Sequence, residues 1–113
     1  MVKYRELAHT IKIKILKGVY EPGSRLPSIR ELSHQYGCNP NTMYQSLRLL
    51  KEEGIITSEK TVGYYVIKNI KKINSIKQEE FLDFFKGMQD TLIKMGYSKE
   101  ELLLSISEDK KSQ

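Results

Sequence analysis

The segment from residue 28 to residue 50 reads SIRELSHQYGCNPNTMYQSLRLL, and it predicts two short helices with almost nothing between them. Ser28 is placed to cap the first helix, and Glu31, three residues later, can complete a capping box. Gly37 can adopt the left-handed conformation that ends this helix. Asn39 is a good N-cap for the next helix, whose first position suits Pro40. The segment is therefore typical of a helix-turn-helix.

Each of the two helices has one apolar side and one polar side. The apolar positions follow helical spacing, and they are Ile29, Leu32 and Tyr36 in the first helix and Met43, Leu47 and Leu50 in the second. The turn Gly37-Cys38-Asn39 is too short for antiparallel packing, so the second helix must cross the first and project outward. Its exposed side then carries Asn41, Tyr44, Gln45 and Arg48.

These four side chains suit DNA. Amides pair with adenine, hydroxyl groups bind phosphate, and Arg binds either a base edge or a phosphate. The alternative is a solvated polar face on an ordinary helix. The preceding helix, the short turn and the basic charge of this part of the chain favour DNA.

The flanking segments complete a winged helix. An amphipathic helix is predicted from about Lys3 to Lys17, and Glu21–Ser24 is typical of a tight turn. Two β-rich segments, 55–58 and 64–67, predict a hairpin, or wing. A polar linker is expected over 68–74. The expected fold class is mainly α with a small β-hairpin, divided into a winged helix-turn-helix domain over residues 1–70 and a two-helix tail over residues 75–113.

The tail carries an apolar seam of coiled-coil type. The seam alternates spacings of four and three, and it consists of Phe81, Phe85, Met88, Leu92 and Met95. Ser98 and Glu101 predict a second capping box, which starts a last helix with Leu102, Leu103 and Ile106. So much apolar area on one short helix needs a cover, which predicts a homodimer. The alternative is that the seam packs back on the winged helix of its own subunit.

Charge and composition bound the function. The 113 residues carry a net charge of +5. Residues 1–70 hold eleven Lys or Arg and six Asp or Glu, whereas the rest of the chain is neutral, which indicates a polyanionic partner for the first part only. The single Cys38 and the lack of a signal peptide or long apolar run predict a cytoplasmic protein with no membrane partner. No catalytic or metal-ligating motif is present, so neither an enzyme nor a cofactor is expected.

At this point the sequence resembles the GntR superfamily of bacterial regulators. The resemblance is carried by PGSRLPSIREL (residues 22–32), NPNT (39–42) and GYYV (63–66), together with Tyr36-Gly37 and the segment from Leu50 to Gly54. It covers roughly residues 4–67. The resemblance implies a winged-helix transcription regulator that binds double-stranded DNA.

The resemblance also implies roles for individual residues. The start of the first helix of the helix-turn-helix, at Ser28, has free N–H groups that can hold a phosphate. The position of Arg30 reaches DNA in the family, with an intramolecular salt bridge, for instance to Glu31, as the alternative. Asn39, Asn41, Thr42 and Tyr44 align with DNA-contacting positions, with a partly buried structural role as the alternative for Thr42.

The wing departs from the family pattern. Family members often have Gly two positions before the Gly that matches Gly63, whereas this chain has Thr61, preceded by Lys60. Both residues are candidates for contact with the minor groove, and contact with phosphate is the alternative for Lys60.

The short tail resembles the YtrA branch, in which two helices make the dimer. The resemblance therefore implies a dimeric repressor that binds a palindromic operator. The alternative is a winged helix used for protein–protein or RNA interaction without operator specificity. A small-molecule effector is possible but not indicated, because the tail is too small to enclose an ordinary pocket within one subunit.

Overall fold

The computed structural model describes residues 3–59 and 63–112, and side chains up to residue 105 within those ranges. The elements in chain order are α1 (Tyr4–Leu16), α2 (Ile29–Tyr36), α3 (Pro40–Glu52), β1 (Ile56–Glu59), β2 (Gly63–Val66), α4 (Ile70–Lys94) and α5 (Lys99–Ser112). The prediction of a mainly helical protein with one small hairpin is confirmed.

The core lies where α1, α2, α3 and the hairpin meet. Leu7, Ala8, Ile11 and Ile15 of α1 are buried, whereas Tyr4 at its start is half-buried. Leu32 in α2 and the whole predicted stripe of α3 are buried as well. Five further residues complete the core, namely Leu26, Ile55, Ile56, Val66 and Ile73. Full burial of one such side chain is worth about 1.5–3 kcal/mol, so this cluster holds the helix-turn-helix and the hairpin together.

The predicted caps of the helix-turn-helix are present. The Ser28 hydroxyl accepts a hydrogen bond from the Glu31 backbone N–H at 3.1 Å. Gly37 ends α2 with φ +62°, in the left-handed region. The Asn39 side-chain oxygen accepts from the Asn41 N–H at 2.8 Å, and Pro40 is the first residue of α3. These local bonds set the angle at which α3 leaves the turn.

The hairpin is extended by a third short segment. β1 and β2 pair antiparallel, from Ile56 opposite Val66 to Glu59 opposite Gly63. On the other edge of β2, the Leu26 N–H donates to the Tyr64 carbonyl and the Val66 N–H donates to the Ser24 carbonyl, both at 2.9 Å. The chain then passes directly into Ser28, so these bonds fix the hairpin beside the start of α2.

The prediction of a polar linker over 68–74 is wrong for its second part. α4 begins at Ile70, and the Asn69 side chain caps it by accepting from the Lys72 N–H at 3.1 Å. Ile73 is buried in the core and Ile76 packs against it. The helix is stable from this point because one side of its first turns is covered.

The chain divides into two compact units, of which the first ends at Lys77 and the second begins at Gln78. The second unit contains the rest of α4 and all of α5. The predicted capping box is present there, since Ser98 accepts from the Glu101 N–H at 3.1 Å and donates to its carboxylate at 3.2 Å. No helix in the described ranges combines the length and the apolar character that crossing a membrane requires.

Candidate nucleic-acid interface

Five exposed polar side chains on the helix-turn-helix form what we call the recognition face. They come from α2 and from the outward side of α3, and they are Arg30, Asn41, Tyr44, Gln45 and Arg48. The core takes up the opposite side of α3 through Met43, Leu47 and Leu50, so these polar side chains face solvent. Tyr44 is 47% exposed, so both its ring and its hydroxyl are accessible.

Arg30 is available to a ligand. Its side chain is exposed, and among the side chains that the structure describes, which extend to residue 105, no carboxylate forms an ion pair with it. The intramolecular salt bridge considered from the sequence is therefore not found among the described residues. A guanidinium group in this position carries five N–H donors in a planar fork, which matches a phosphate or the edge of guanine.

Two of the predicted residues have structural roles at helix starts. The hydroxyl of Ser28 and the side-chain oxygen of Asn39 each cap a helix, as described above. Asn39 is exposed, so contact with DNA would use the N–H groups of its amide. Thr42 is half-buried, which leaves only part of its side chain accessible. Its backbone carbonyl accepts a hydrogen bond from the Ser46 hydroxyl at 3.0 Å.

Arg48 is oriented by a neighbour on the same helix. Its Nε lies 3.3 Å from a carboxylate oxygen of Glu52, and both side chains are largely exposed. A solvent-exposed ion pair of this kind contributes only about 0–1 kcal/mol. The ion pair therefore orients the guanidinium along α3, yet it is weak enough for Arg48 to leave Glu52 and bind a phosphate instead.

A cleft of about 360 Å³ separates α3 from the hairpin, and it is lined by Tyr44, Arg48, Lys51, Glu52 and Tyr64. Partial burial, and then the nearby Tyr44, raise the pKa of the Tyr64 phenol above its usual value, so Tyr64 is a neutral hydroxyl donor at physiological pH. Sequence analysis missed Lys51 and Tyr64. Lys51 follows Arg48 by three residues on the same helix, so helical spacing could have predicted that it lies beside Arg48. The position of Tyr64 beside α3 depends on how the hairpin folds back, which local spacing does not predict.

A second cavity, of about 580 Å³, lies on the other side of the hairpin. Its lining includes Thr57 and Tyr65 of the strands and Lys68 and Lys72 near the start of α4. Side chains alternate along a strand, so Thr57 and Tyr65 face away from the side on which Tyr64 lines the cleft. This cavity is therefore separate from the recognition face.

The two predicted wing residues, Lys60 and Thr61, lie outside the described residues. The predicted tail residues are described up to residue 105, so the side chain of Ile106 lies outside them as well. Four of the other predicted tail residues are exposed, namely Phe81, Met88, Met95 and Leu103. Three are half-buried, namely Phe85, Leu92 and Leu102.

The tail also exposes apolar residues that the seam did not include. They are Leu82, Phe84, Ile93, Tyr97 and Leu104, and Phe84 is 76% exposed. Phe81 and Phe85 stack with ring centroids 5.9 Å apart. The apolar surface of the tail is thus wider than one coiled-coil seam.

Taken together, a helix-turn-helix, an adjoining hairpin and a polar recognition face define the class of winged-helix DNA-binding transcription regulators. Residues 3–66 match the family model described as bacterial regulatory proteins of the gntR family. The chain belongs to the gntR family, whose members regulate transcription and are not enzymes.

Individual relatives agree with this assignment. The chain is 35% identical over 82 residues to the HTH-type transcriptional repressor YtrA of Bacillus subtilis, a match that spans 67% of this chain and 63% of YtrA. A GntR family transcriptional regulator from Listeria monocytogenes has a similar structure, with a TM-score of 0.86 and 26% identity over 93% of this chain and 92% of that one.

A further structural relative was solved with DNA. The DNA-binding domain of AraR in complex with the operator ORX1 has a TM-score of 0.55 and 26% identity, over 58% of this chain and 80% of that chain. The protein described here is therefore a DNA-binding transcription regulator of the gntR family.

Proposed function

We propose that this regulator is a repressor that binds a two-fold-symmetric operator as a homodimer, in the cytoplasm. The observation that carries the proposal is the recognition face, because five polar side chains with base- or phosphate-binding groups stand together on the outward side of a helix-turn-helix. We further propose that residues 1–70 form the DNA-binding domain and residues 75–113 the dimerisation tail.

The recognition face divides naturally between two kinds of contact. The amides of Asn41 and Gln45 match adenine, and an Arg matches guanine or phosphate. The Tyr44 hydroxyl suits a phosphate oxygen. The first backbone N–H groups of α2, next to Ser28, add a phosphate site, and Lys60 and Thr61 in the wing are proposed to contact the neighbouring groove or its phosphates.

The distribution of charge supports a strong phosphate contribution. The whole net charge of +5 falls within residues 1–70, on the part of the chain that carries the recognition face. A protein that makes about 6–10 phosphate contacts loses roughly 10³–10⁵ in affinity between about 50 and 200 mM salt. We expect operator binding to show a steep salt dependence of this kind.

The exposed apolar side chains of the tail support self-association. A stripe with spacings of four and three is complementary to a second copy of itself. Two winged helices linked in this way would meet two half-sites, separated by about one helical turn of DNA or by another distance that the tails impose. That YtrA is named as a repressor favours repression over activation for this chain.

The experiment that tests the proposed function is selection of bound sites from random duplex DNA. We expect the full chain to enrich one palindromic sequence and to retain it in the presence of excess non-specific competitor. If the selected pool stays random, or binding disappears with competitor, the winged helix has another partner.

On the selected operator, we predict that Arg30→Ala, Asn41→Ala and Tyr44→Ala each weaken binding while the melting temperature stays nearly unchanged. The loss of one bidentate base contact costs about 1–3 kcal/mol, or roughly 5- to 150-fold in affinity. Asn74→Ala is the matched control for Asn41→Ala, because Asn74 is an exposed Asn on α4 and is not part of the recognition face. Wild-type affinity in all three variants would refute the assignment of the site.

A further inference from the structure

Arg25 was not singled out by sequence analysis, and it lies between the hairpin and the start of α2, on the side of the hairpin that carries Tyr65. It lies on the segment that pairs with the outer edge of β2, where it forms an antiparallel bridge with Tyr65. The next residue, Leu26, is buried in the core. Because side chains alternate along an extended segment, Arg25 points away from the core, and its side chain is exposed.

The Arg25 side chain extends along the hairpin toward the wing loop. Its own backbone is opposite Tyr65, but its guanidinium lies against Gly63, two residues closer to the loop. A Cβ atom built on Gly63 would lie 3.1 Å from the Arg25 Nε and 3.4 Å from its Nη2. Gly63 has φ +121° and directly follows residues 60–62, which join the two strands. The guanidinium therefore lies beside Gly63, where β2 begins.

The same residue lies close to the start of α2. Only Leu26 and Pro27 separate Arg25 from Ser28, the cap of the helix that carries Arg30. Within the described ranges no carboxylate forms an ion pair with Arg25. A guanidinium with five donors, exposed and without an acidic partner there, is suited to an external anion.

We propose that Arg25 binds a phosphate of the operator backbone, on the strand segment between the contact of the wing and the contact of α2. The inference rests on the proposed use of the recognition face. A phosphate is favoured over a base edge because the guanidinium lies beside Gly63 on the surface of the hairpin and is not part of the recognition face. The role of Arg25 is thus to fix the position of the wing along the DNA rather than to read sequence.

The test compares the salt dependence of operator binding for the full-length wild type, Arg25→Ala and Arg25→Lys. Each lost phosphate contact reduces the slope of log affinity against log salt by about 0.9. A dimer loses two such contacts, so the affinity of Arg25→Ala should fall less steeply with salt. The ratio of its affinity to that of wild type should therefore rise roughly tenfold between about 50 and 200 mM salt. Arg25→Lys keeps the charge and should keep the wild-type slope.

Lys17→Ala is the matched control, because it removes one exposed positive charge elsewhere. α1 runs alongside α3 so that Lys12 pairs with Glu53 at 3.0 Å, which places Lys17 beyond the C-terminal end of α3. The slope of log affinity against log salt for Lys17→Ala should equal that of wild type.

The outcomes separate the two proposals. If wild type binds the operator with a steep slope and Arg30→Ala weakens it, but Arg25→Ala keeps the wild-type slope, the inference on Arg25 is wrong and the proposed function stands. A loss in Arg25→Ala confined to the selected sequence, and absent from random duplex DNA, would also overturn a phosphate contact. If wild type itself shows a flat slope, the proposed function fails.

Discussion

At the scale of single residues, Ser46 connects two helices of the DNA-binding unit. It is fully buried in α3, between positions that are otherwise apolar. Its hydroxyl lies 2.8 Å from the Tyr4 carbonyl and 3.0 Å from the Thr42 carbonyl. The first of these bonds is long-range and ties the start of α1 to the middle of α3. A buried hydroxyl without such a partner would be costly.

We predict that Ser46→Ala lowers the free energy of unfolding by about 1 kcal/mol, the usual net value of one hydrogen bond, with up to about 3 kcal/mol if the Tyr4 carbonyl stays unsatisfied. Urea denaturation measures this. Ser75→Ala is the control, since Ser75 is exposed on α4 and shares the gain in helix propensity without losing a buried bond. Equal stability of the two variants would contradict the role assigned to the hydroxyl.

The residues of the recognition face were predictable because helical spacing alone places Asn41, Tyr44, Gln45 and Arg48 on one side. Ser46 was not, since a pattern of apolar residues does not distinguish a buried Ser from a solvated one. Tyr64 and Arg25 were missed for another reason. Their positions depend on the pairing of segments far apart in sequence, which no local spacing reports.

At the scale of elements, the turn between α2 and α3 depends on one backbone conformation. Gly37 ends α2 with φ +62°, and a Cβ atom added there would meet no atom within 4 Å. The need for Gly is therefore conformational and not steric. Because α3 begins only three residues later, this conformation also sets the crossing of the two helices.

We predict opposite effects of the same substitution at two glycines. Gly37→Ala should lower the free energy of unfolding by about 1–2 kcal/mol, the cost of an L-residue in the left-handed region. Gly87→Ala should raise it by up to about 1 kcal/mol, because Gly87 lies within α4 with open space around its Cα. Thermal unfolding of both variants checks the pair. Destabilisation at both positions would mean that packing, not backbone conformation, controls them.

The start of α4 is the element that sequence analysis placed wrongly. The segment looked polar because Lys71, Lys72 and Asn74 dominate it. The signal against a linker was present, since Ile70, Ile73 and Ile76 recur every three residues and Asn69 can cap. Three Ile residues were too few to predict a helix against a mostly polar composition. The burial of Ile73 against the winged helix is what stabilises the start of α4.

At the scale of the whole molecule, charge and exposed apolar side chains are distributed unevenly along the chain. The net positive charge and the recognition face belong to the first unit. The second unit, which carries exposed apolar residues, has five Lys and eight Asp or Glu and thus a net charge of −3. Residues 1–70 could be predicted well because caps, turns and apolar stripes agree there. In the tail, only the helices themselves were predictable, since what covers an apolar surface depends on contacts beyond the helix.

We predict that Phe81→Glu abolishes the homodimer and lowers operator affinity by orders of magnitude. Phe81 is 59% exposed, so within its own subunit its replacement removes mainly the stacking contact with Phe85. In a two-fold interface each residue counts twice, so the loss is at least about 3 kcal/mol, or more than a hundredfold in the dimer Kd. Sedimentation velocity at about 20 µM and operator titration measure the two effects.

Lys86→Glu distinguishes loss of the interface from the mere addition of an acid. Lys86 is exposed on the same helix, and five residues at 3.6 per turn place it about 140° around the axis from Phe81. The Lys86→Glu variant should stay dimeric and bind the operator with only the modest loss that a change of four charge units per dimer causes. If Phe81→Glu behaves like Lys86→Glu, the stripe is not the interface. If wild type is itself a monomer at this concentration, the apolar side of α4 must pack within one subunit. Palindrome recognition would then lose the avidity that links two weak half-site contacts into one strong one.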